Sequence, residues 1–340
     1  MGRTSKKIRF KELPVGIADI KAVADVIRSK SLGMGQTVNE LEEEFADYVG
    51  AKYAVALNSC TNSLFLTLMG QPVDHVGIPS MMVPLVANEI IHAGKRPYFV
   101  DNTNWVGSAY RLKNTNIVDS AHQVAKVGEW FFDHYVVCYS FYPTKPIGGA
   151  DGGMICTNSE EEANWYRKAR FFGRNEGDSL TKNSWEYGIE FPGWKMNMSD
   201  VQAAIVLTQL RKHPSNDGTM GQIRDSYNEI LGLDNKSKYL YRINVENRDE
   251  FIKHMKENGV ECGIHFEPLH MMECYKQYAM PNVDDTQDLG LSSHSELPKT
   301  EEEFKTTVSL PFHTFLSPQD ISYICELTLE WKQKTVKEAI

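Results

Sequence analysis

In the stretch 138–153, CYSFYPTKPIGGADGG, one lysine, Lys145, follows an apolar run and precedes a glycine-rich turn. A lysine amine becomes a nucleophile or a base only when it sheds its proton, which burial or a neighbouring cation favours. A lone lysine after a strand is most often a solvated loop residue, so its chemistry depends on what the rest of the chain brings to it. Asp119 closes the apolar run NTNIVDS, with His122 three positions on. Ser59-Cys60-Thr61-Asn62 follows the strand-like YAVAL and opens a helical pattern, and Ser140 stands five positions before Lys145. Each has an ordinary structural explanation: Asp119 could cap a turn, and SCTNS holds the residue types that helix starts prefer.

Taken together they match the needs of pyridoxal phosphate (PLP). That cofactor requires an amine for its aldehyde and a carboxylate that keeps the pyridinium nitrogen protonated. Its dianionic phosphate requires hydroxyls and free N–H groups at a helix N-terminus.

The elements that must position these groups are legible in outline. IADIKAVADVIRSK and TVNELEEEFADYVG carry apolar residues at helical spacing, the second stopping at Gly50. YAVALNS, HVGIPS, RPYFVD, NTNIVDS, HYVVCYSF and GGMICTN read as strands, with CTNSLFLTLMG and MVPLVANEIIHAG as helices between them. Buried strands alternating with helices predict an α/β domain with a mostly parallel sheet. Ligands in such sheets sit beyond the carboxyl ends of strands, where Ser59, Asp119 and Ser140 fall. From MSDVQAAIVLTQLRK onward the character changes: a helix capped by Ser199, the turn-rich HPSNDGTM, further helical residues, then KYLYRINV, NRDEFIKHMKENG and VECGIHF as strand, helix and strand. SPQDISYICELTLEWKQK reads as a closing helix. The expected organisation is a large PLP-binding domain over 1–210 and a small C-terminal α+β domain over 211–340.

With 340 residues, two cores are expected. A net charge of −9 argues against general affinity for nucleic acid or anionic lipid. The basic start GRTSKKIRF is too short and polar for a secretory signal, and no apolar run approaches a membrane span. Six cysteines without CxxC spacing indicate neither a zinc site nor a disulfide framework, so a reducing cytoplasm is expected.

The ordered set of motifs resembles the sugar-nucleotide aminotransferases grouped under the DegT name, a branch of the fold-type-I PLP transferases. The likeness runs through SLGMGQTVNELEEEFADYVGAKYAVALNSCTNSL, IPSMMVPLVANEIIHAGKRPYFVD, VDSAHQV, YSFYPTKPIGGADGG, GWKMNMSDVQAAIVLTQL, GIHFEPLH and VSLPFH. It implies that Lys145 is the Schiff-base lysine and proton shuttle, that Asp119 pairs with the pyridinium nitrogen, and that His122 lies near the ring and its phenolic oxygen. Thr61, Asn62 and Ser140 would hold the phosphate, with Cys60 and Val83 also at the cofactor. It further implies a homodimer with shared active sites, in which Lys195 reaches the neighbour's phosphate.

The implied reaction moves an amino group, from glutamate by family expectation, to a nucleotide-linked keto-deoxysugar. The FEPLH form and the short lysine-to-glycine spacing lean toward carbon 4. Other readings are a sugar-nucleotide dehydratase relative, against which Lys145 itself speaks because histidine replaces it there, and a non-catalytic PLP-fold binding or regulatory protein. A nucleotide-binding oxidoreductase lacks its GxGxxG.

Four departures mark a compact, divergent member. Cys60 stands where the family has glycine, and Val83 where an aromatic residue stacks on the ring. Lys195 and Asn197 stand for the donated asparagine and the arginine after it. Between Asp101 and Asp119 about one βα unit, roughly 30 residues, is missing.

Overall fold

A computed structural model of the chain describes residues 7–129, 132–174, 188–278 and 297–338; residues 1–6 of the basic start lie outside these. Two amphipathic helices lead, α1 (Ile17–Ser29) and α2 (Gln36–Val49), the second ending at Gly50 in the left-handed region at φ 82°. Then follow β1 (Tyr53–Leu57), α3 (Cys60–Met69), β2 (His75–Pro79), α4 (Pro84–His92) and β3 (Arg96–Val100). The two-residue β4 (Tyr110–Arg111) precedes β5 (Ile117–Asp119), β6 (Val136–Ser140), β7 (Gly153–Thr157) and α5 (Glu160–Ala169).

The fold is α/β, and its main sheet has the order β1-β7-β6-β5-β4. Its ladders are mixed rather than mostly parallel. β5 and β6 are parallel, as are β2 and β3, but β7 is antiparallel to both its neighbours and β4 to β5. The glycine turn after Lys145 explains this, because it reverses the chain directly beside β6 where a parallel partner would need a helical crossover. β1, β5 and β6 still run the same way, so their carboxyl ends share one edge. That edge carries Ser59, Asp119 and Ser140.

No helix intervenes between β3 and β5. Instead the short segment around β4 fills the gap: Tyr110 and Arg111 pair with β5, and Lys113 just beyond exchanges both backbone hydrogen bonds with Gly77 of β2, at 2.8 and 3.3 Å. A few antiparallel residues thereby tie the β2–β3 pair to the main sheet.

The base of β1 is fixed by a buried ion pair. Glu42 of α2 accepts from the Arg170 guanidinium and, at 2.7 Å, from the Ala56 N–H, while Arg170 also donates to the Ala56 carbonyl at 2.7 Å.

Helix α6 (Asp200–Leu231) is capped by Ser199 and runs unbroken through Pro214, so HPSNDGTM continues the helix instead of turning. Proline removes one hydrogen bond and clashes with the preceding turn. Burial on both sides outweighs that loss: Val206, Leu207 and Leu210 pack in the large core, and Ile223, Tyr227 and Leu231 in a second one. Position 210, the expected boundary, thus lies inside a helix shared by both cores.

The second core also takes Ile8 from the N-terminal segment and the strands β8 (Tyr241–Asn244) and β9 (Thr307–Leu310), which pair antiparallel. Around them lie α7 (Arg248–Glu257), α8 (Pro298–Thr306) and α9 (Pro318–Glu338). VECGIHF is not a strand; it makes only isolated bridges, Val260 with Ile8 and Gly263 with Ser309.

Candidate active site

Beyond the shared edge of β1, β5 and β6 lies a cavity of about 500 Å³, within the range of small-ligand sites. Lys145, Asp119, His122, Ser140, Cys60, Thr61 and Val83 all line it. Residues separated by more than eighty positions in the chain meet there.

Lys145 sits on a tightly bonded loop. Its N–H donates to the Tyr142 carbonyl at 2.9 Å, and Phe141 exchanges hydrogen bonds with Gly152 and Gly149 at 2.9 and 2.8 Å. The amine lies 4.9 Å from the centroid of the Tyr239 ring. The glycine tail has a steric reason. Gly152 has φ 146°, and a Cβ on Gly153 would come within 2.5 Å of the backbone of Ser59 and Cys60. Only glycine lets β7 lie against the turn that opens α3.

At that turn the Ser59 hydroxyl accepts from the Asn62 N–H at 3.1 Å, and Ser63 N–H bonds the Ser59 carbonyl at 3.2 Å. The first-turn N–H groups of a helix have no intrahelical partner, and Cys60 and Thr61, at the first turn of α3, line the cavity. The Asn62 side chain does not line the cavity; it donates to Asn58 at 2.6 Å. The Ser140 hydroxyl accepts from the Tyr142 N–H at 3.3 Å. Burial pushes the Cys60 thiol well above its usual range, so this residue presents a neutral thiol. Val83 precedes Pro84 at the N-terminus of α4 and offers an aliphatic wall.

Asp119 is buried. One carboxylate oxygen accepts from the Ala121 N–H at 2.9 Å, the turn-capping role open to it, and the other from the Tyr110 hydroxyl at 3.0 Å. Burial raises its pKa from the usual carboxylate range, partly opposed by the Ala121 N–H and the charge of Lys145. An anionic carboxylate here therefore gains from a second cation, which a protonated ring nitrogen would supply.

His122 is stacked on Trp105, with ring centroids 5.1 Å apart, and its Nδ1 accepts from the Gly107 N–H at 3.2 Å. Burial holds its pKa well below the ordinary histidine value. The ring is neutral with its proton on Nε2, a donor suited to a phenolic oxygen. A buried carboxylate, an amine, a neutral imidazole donor and free N–H groups beside hydroxyls fit PLP.

Lys195 is elsewhere. Its backbone runs beside the end of β1, where the neighbouring Met196 carbonyl accepts from Asn58 N–H at 2.8 Å, but its exposed amine bonds Asn197 at 2.7 Å and stands 4.5 Å from the Phe171 ring centroid.

Sequence reasoning missed Trp105, Tyr110, Tyr239 and Lys11. Tyr110 faces Asp119 directly in the β4–β5 register, yet a two-residue strand carries no readable period. Tyr239 sits within the KYLYRINV pattern, which marks it only as strand-like.

The sequence profile described as the DegT/DnrJ/EryC1/StrS aminotransferase family matches residues 16–111 and 118–328, breaking just after β4. The spore coat polysaccharide biosynthesis protein SpsC of Bacillus subtilis (strain 168) is 28% identical over 382 aligned positions, covering 92% of this chain and 94% of that protein. Among solved structures, PseC of Helicobacter pylori, an aminotransferase involved in the biosynthesis of pseudoaminic acid, superposes with a TM-score of 0.81 at 20% identity, over 97% of this chain and 100% of that one. The PLP form of the putative sugar aminotransferase Spr1654 from Streptococcus pneumoniae gives 0.80 at 23% identity, over 97% and 99%. The chain belongs to the DegT/DnrJ/EryC1/StrS aminotransferase family, and it is a PLP-dependent sugar aminotransferase.

Proposed function

We propose that the protein transfers an amino group from glutamate to a nucleotide-linked keto-deoxysugar, at carbon 4, in amino-sugar biosynthesis. The observation that carries this reading is the convergence of Lys145, Asp119 and His122 on one cavity beside the open N-terminus of α3. When bound, PLP supplies an electrophilic aldehyde and an electron sink.

This chain's residues do the rest. Thr61, Ser140 and the N–H groups at the start of α3 bind the phosphate, and Asp119 holds the proton on the ring nitrogen. His122 would donate from Nε2 to the ring's phenolic oxygen, held in place by Trp105 stacked against it. Lys145 Nζ takes up and returns the proton at the reacting carbon of the bound amine, as general base and then acid. The two substrates use the same centre in turn.

The proposed homodimer is supported by exposed apolar residues along α1: Ile17, Ile20 and Ile27 are 86%, 70% and 56% exposed and share one helical face. Lys195, exposed and without a carboxylate partner among the described residues, would serve the partner's phosphate. The division into large and small domains is retained, with α6 as their common strut. All six cysteines are unpaired, which suits a cytoplasmic setting.

Two experiments test this reading. The PLP form is assayed with glutamate, and the pyridoxamine phosphate form that results is assayed with a panel of 3-keto and 4-keto nucleotide sugars; no turnover of the 4-keto class refutes it. Inactive Lys145→Ala and Lys195→Ala subunits are then mixed. If Lys195 acts across the interface, one intact site forms and activity returns. If it acts within its own subunit, the mixture stays inactive, and full activity of Lys195→Ala alone removes it from the site.

A further inference from the structure

A second lysine stands beside Lys145. Residues 7–16 lie outside any helix ahead of α1, fixed where Ile8 exchanges backbone hydrogen bonds with Gly259 and Glu261 at 2.9 and 3.0 Å. This lays Lys11 against Tyr239. Its amine donates to the Tyr239 carbonyl, lies 4.6 Å from the centroid of that ring and 5.6 Å from that of Phe312. Lys145 approaches the same tyrosine ring at 4.9 Å.

A narrow cleft joins the two amines. It shares Thr144, Lys145 and Tyr239 with the main cavity and leads outward past Asn216 and His313. Three lysines line it. Lys145 is committed to the chemistry and Lys238 is paired with Asp217 at 2.6 Å. Lys11 has no carboxylate partner among the described residues; Glu12, the acidic residue of the cleft, acts on His313 instead. Burial, with the charge of Lys145, lowers the Lys11 ammonium to about 7. A buried cation held only by a carbonyl and aromatic rings is costly unless an anion joins it. The chain as a whole carries a net charge of −9, so background composition does not explain the cluster.

We propose that Lys11 binds the diphosphate of the nucleotide-linked sugar, setting how far the sugar enters toward Lys145. This rests on the reading that the acceptor is nucleotide-linked. The donor's α-carboxylate is one bond from its reacting carbon and stays in the main cavity. The diphosphate is a whole sugar ring away, where the cleft leads. Lys145 then works at the reacting carbon while the Lys11 ammonium holds the phosphate end of the same substrate.

The test is calorimetric titration of PLP-loaded protein with UDP, GDP and dTDP, alongside KM for the sugar substrate and for glutamate. Lys11→Met should weaken the best-bound diphosphate about 10- to 100-fold. It should raise KM for the sugar substrate with little change in the glutamate half-reaction, and Lys11→Arg should restore most of the affinity. Equal binding by wild type and Lys11→Met overturns the role of Lys11 alone. A shift confined to the KM for glutamate also overturns it, because the lysine would then serve a carboxylate. If wild-type protein binds none of the three diphosphates, the nucleotide-linked reading fails and this proposal with it.

Discussion

Replacing Tyr110 by Phe removes one hydroxyl from the centre of the site and leaves the ring in place. Asp119 is buried and holds two hydrogen bonds, of which the one from Tyr110, at 3.0 Å, is the only one from a side chain among the described residues. A hydrogen bond to an ionised group contributes about 1.5–3 kcal/mol. Its loss weakens the anionic form of Asp119 and raises its pKa further. Burial already pushes that carboxyl upward, so the change adds to an existing bias toward the neutral form. A neutral Asp119 no longer favours a protonated ring nitrogen, and the rate of the glutamate half-reaction should fall about 10- to 100-fold, in line with the same free energy. Stopped-flow measurement of that half-reaction across pH provides the assay. The rate loss should be smallest at high pH, where Asp119 regains its charge. A Tyr110→Phe protein with wild-type rate and wild-type pH profile would refute the assignment of Asp119 to the ring nitrogen.

Further outcomes follow from the same geometry. Lys145→Ala should abolish transfer while its thermal midpoint stays near wild type, since a loop residue at the cavity mouth adds little packing; residual turnover near wild type contradicts its role. Gly153→Ala drives a Cβ into the Ser59–Cys60 backbone and should cost about 1–3 kcal/mol while loosening PLP retention, measured by urea denaturation and cofactor release. Glu42→Ala removes the carboxylate paired with the buried Arg170 guanidinium and should cost about 3–5 kcal/mol; a urea midpoint unchanged from wild type would show that the pair is not structural. Burial lowers His213 and His265 to about 4 from 6.5. As pH falls from 6.5 toward 4 the unfolded chain takes up protons that the folded chain refuses, so stability should decline through that window. A urea midpoint that stays flat or rises there contradicts the burial of these rings.

Sequence pattern brought out residues that line the cavity more readily than it gave the strand directions and helix continuity around them. Asp119 and the Ser59–Asn62 turn are legible because each sits at a strand end, and Lys145 because a glycine-rich turn follows it directly. The direction of β7 was not: an apolar run such as GGMICTN reads the same in either orientation, and only the short return from β6 decides it. Pro214 and the residues after it carry turn chemistry, but contacts from both cores hold α6 straight, a tertiary override invisible locally. Tyr110, Trp105 and Lys11 reach the site through loops and a two-residue strand, with no period to betray them. Asn62 shows the converse, since a motif position placed it near a phosphate while its side chain turns to Asn58.

The central claim is that Lys145 is the amine that engages the cofactor. Borohydride treatment of PLP-loaded protein, followed by proteolysis and mass spectrometry, tests it most directly. The account predicts one pyridoxyl-modified peptide containing Lys145 and none in Lys145→Ala. Label on Lys11 or any other lysine in the wild-type protein, with Lys145 unmodified, would contradict it.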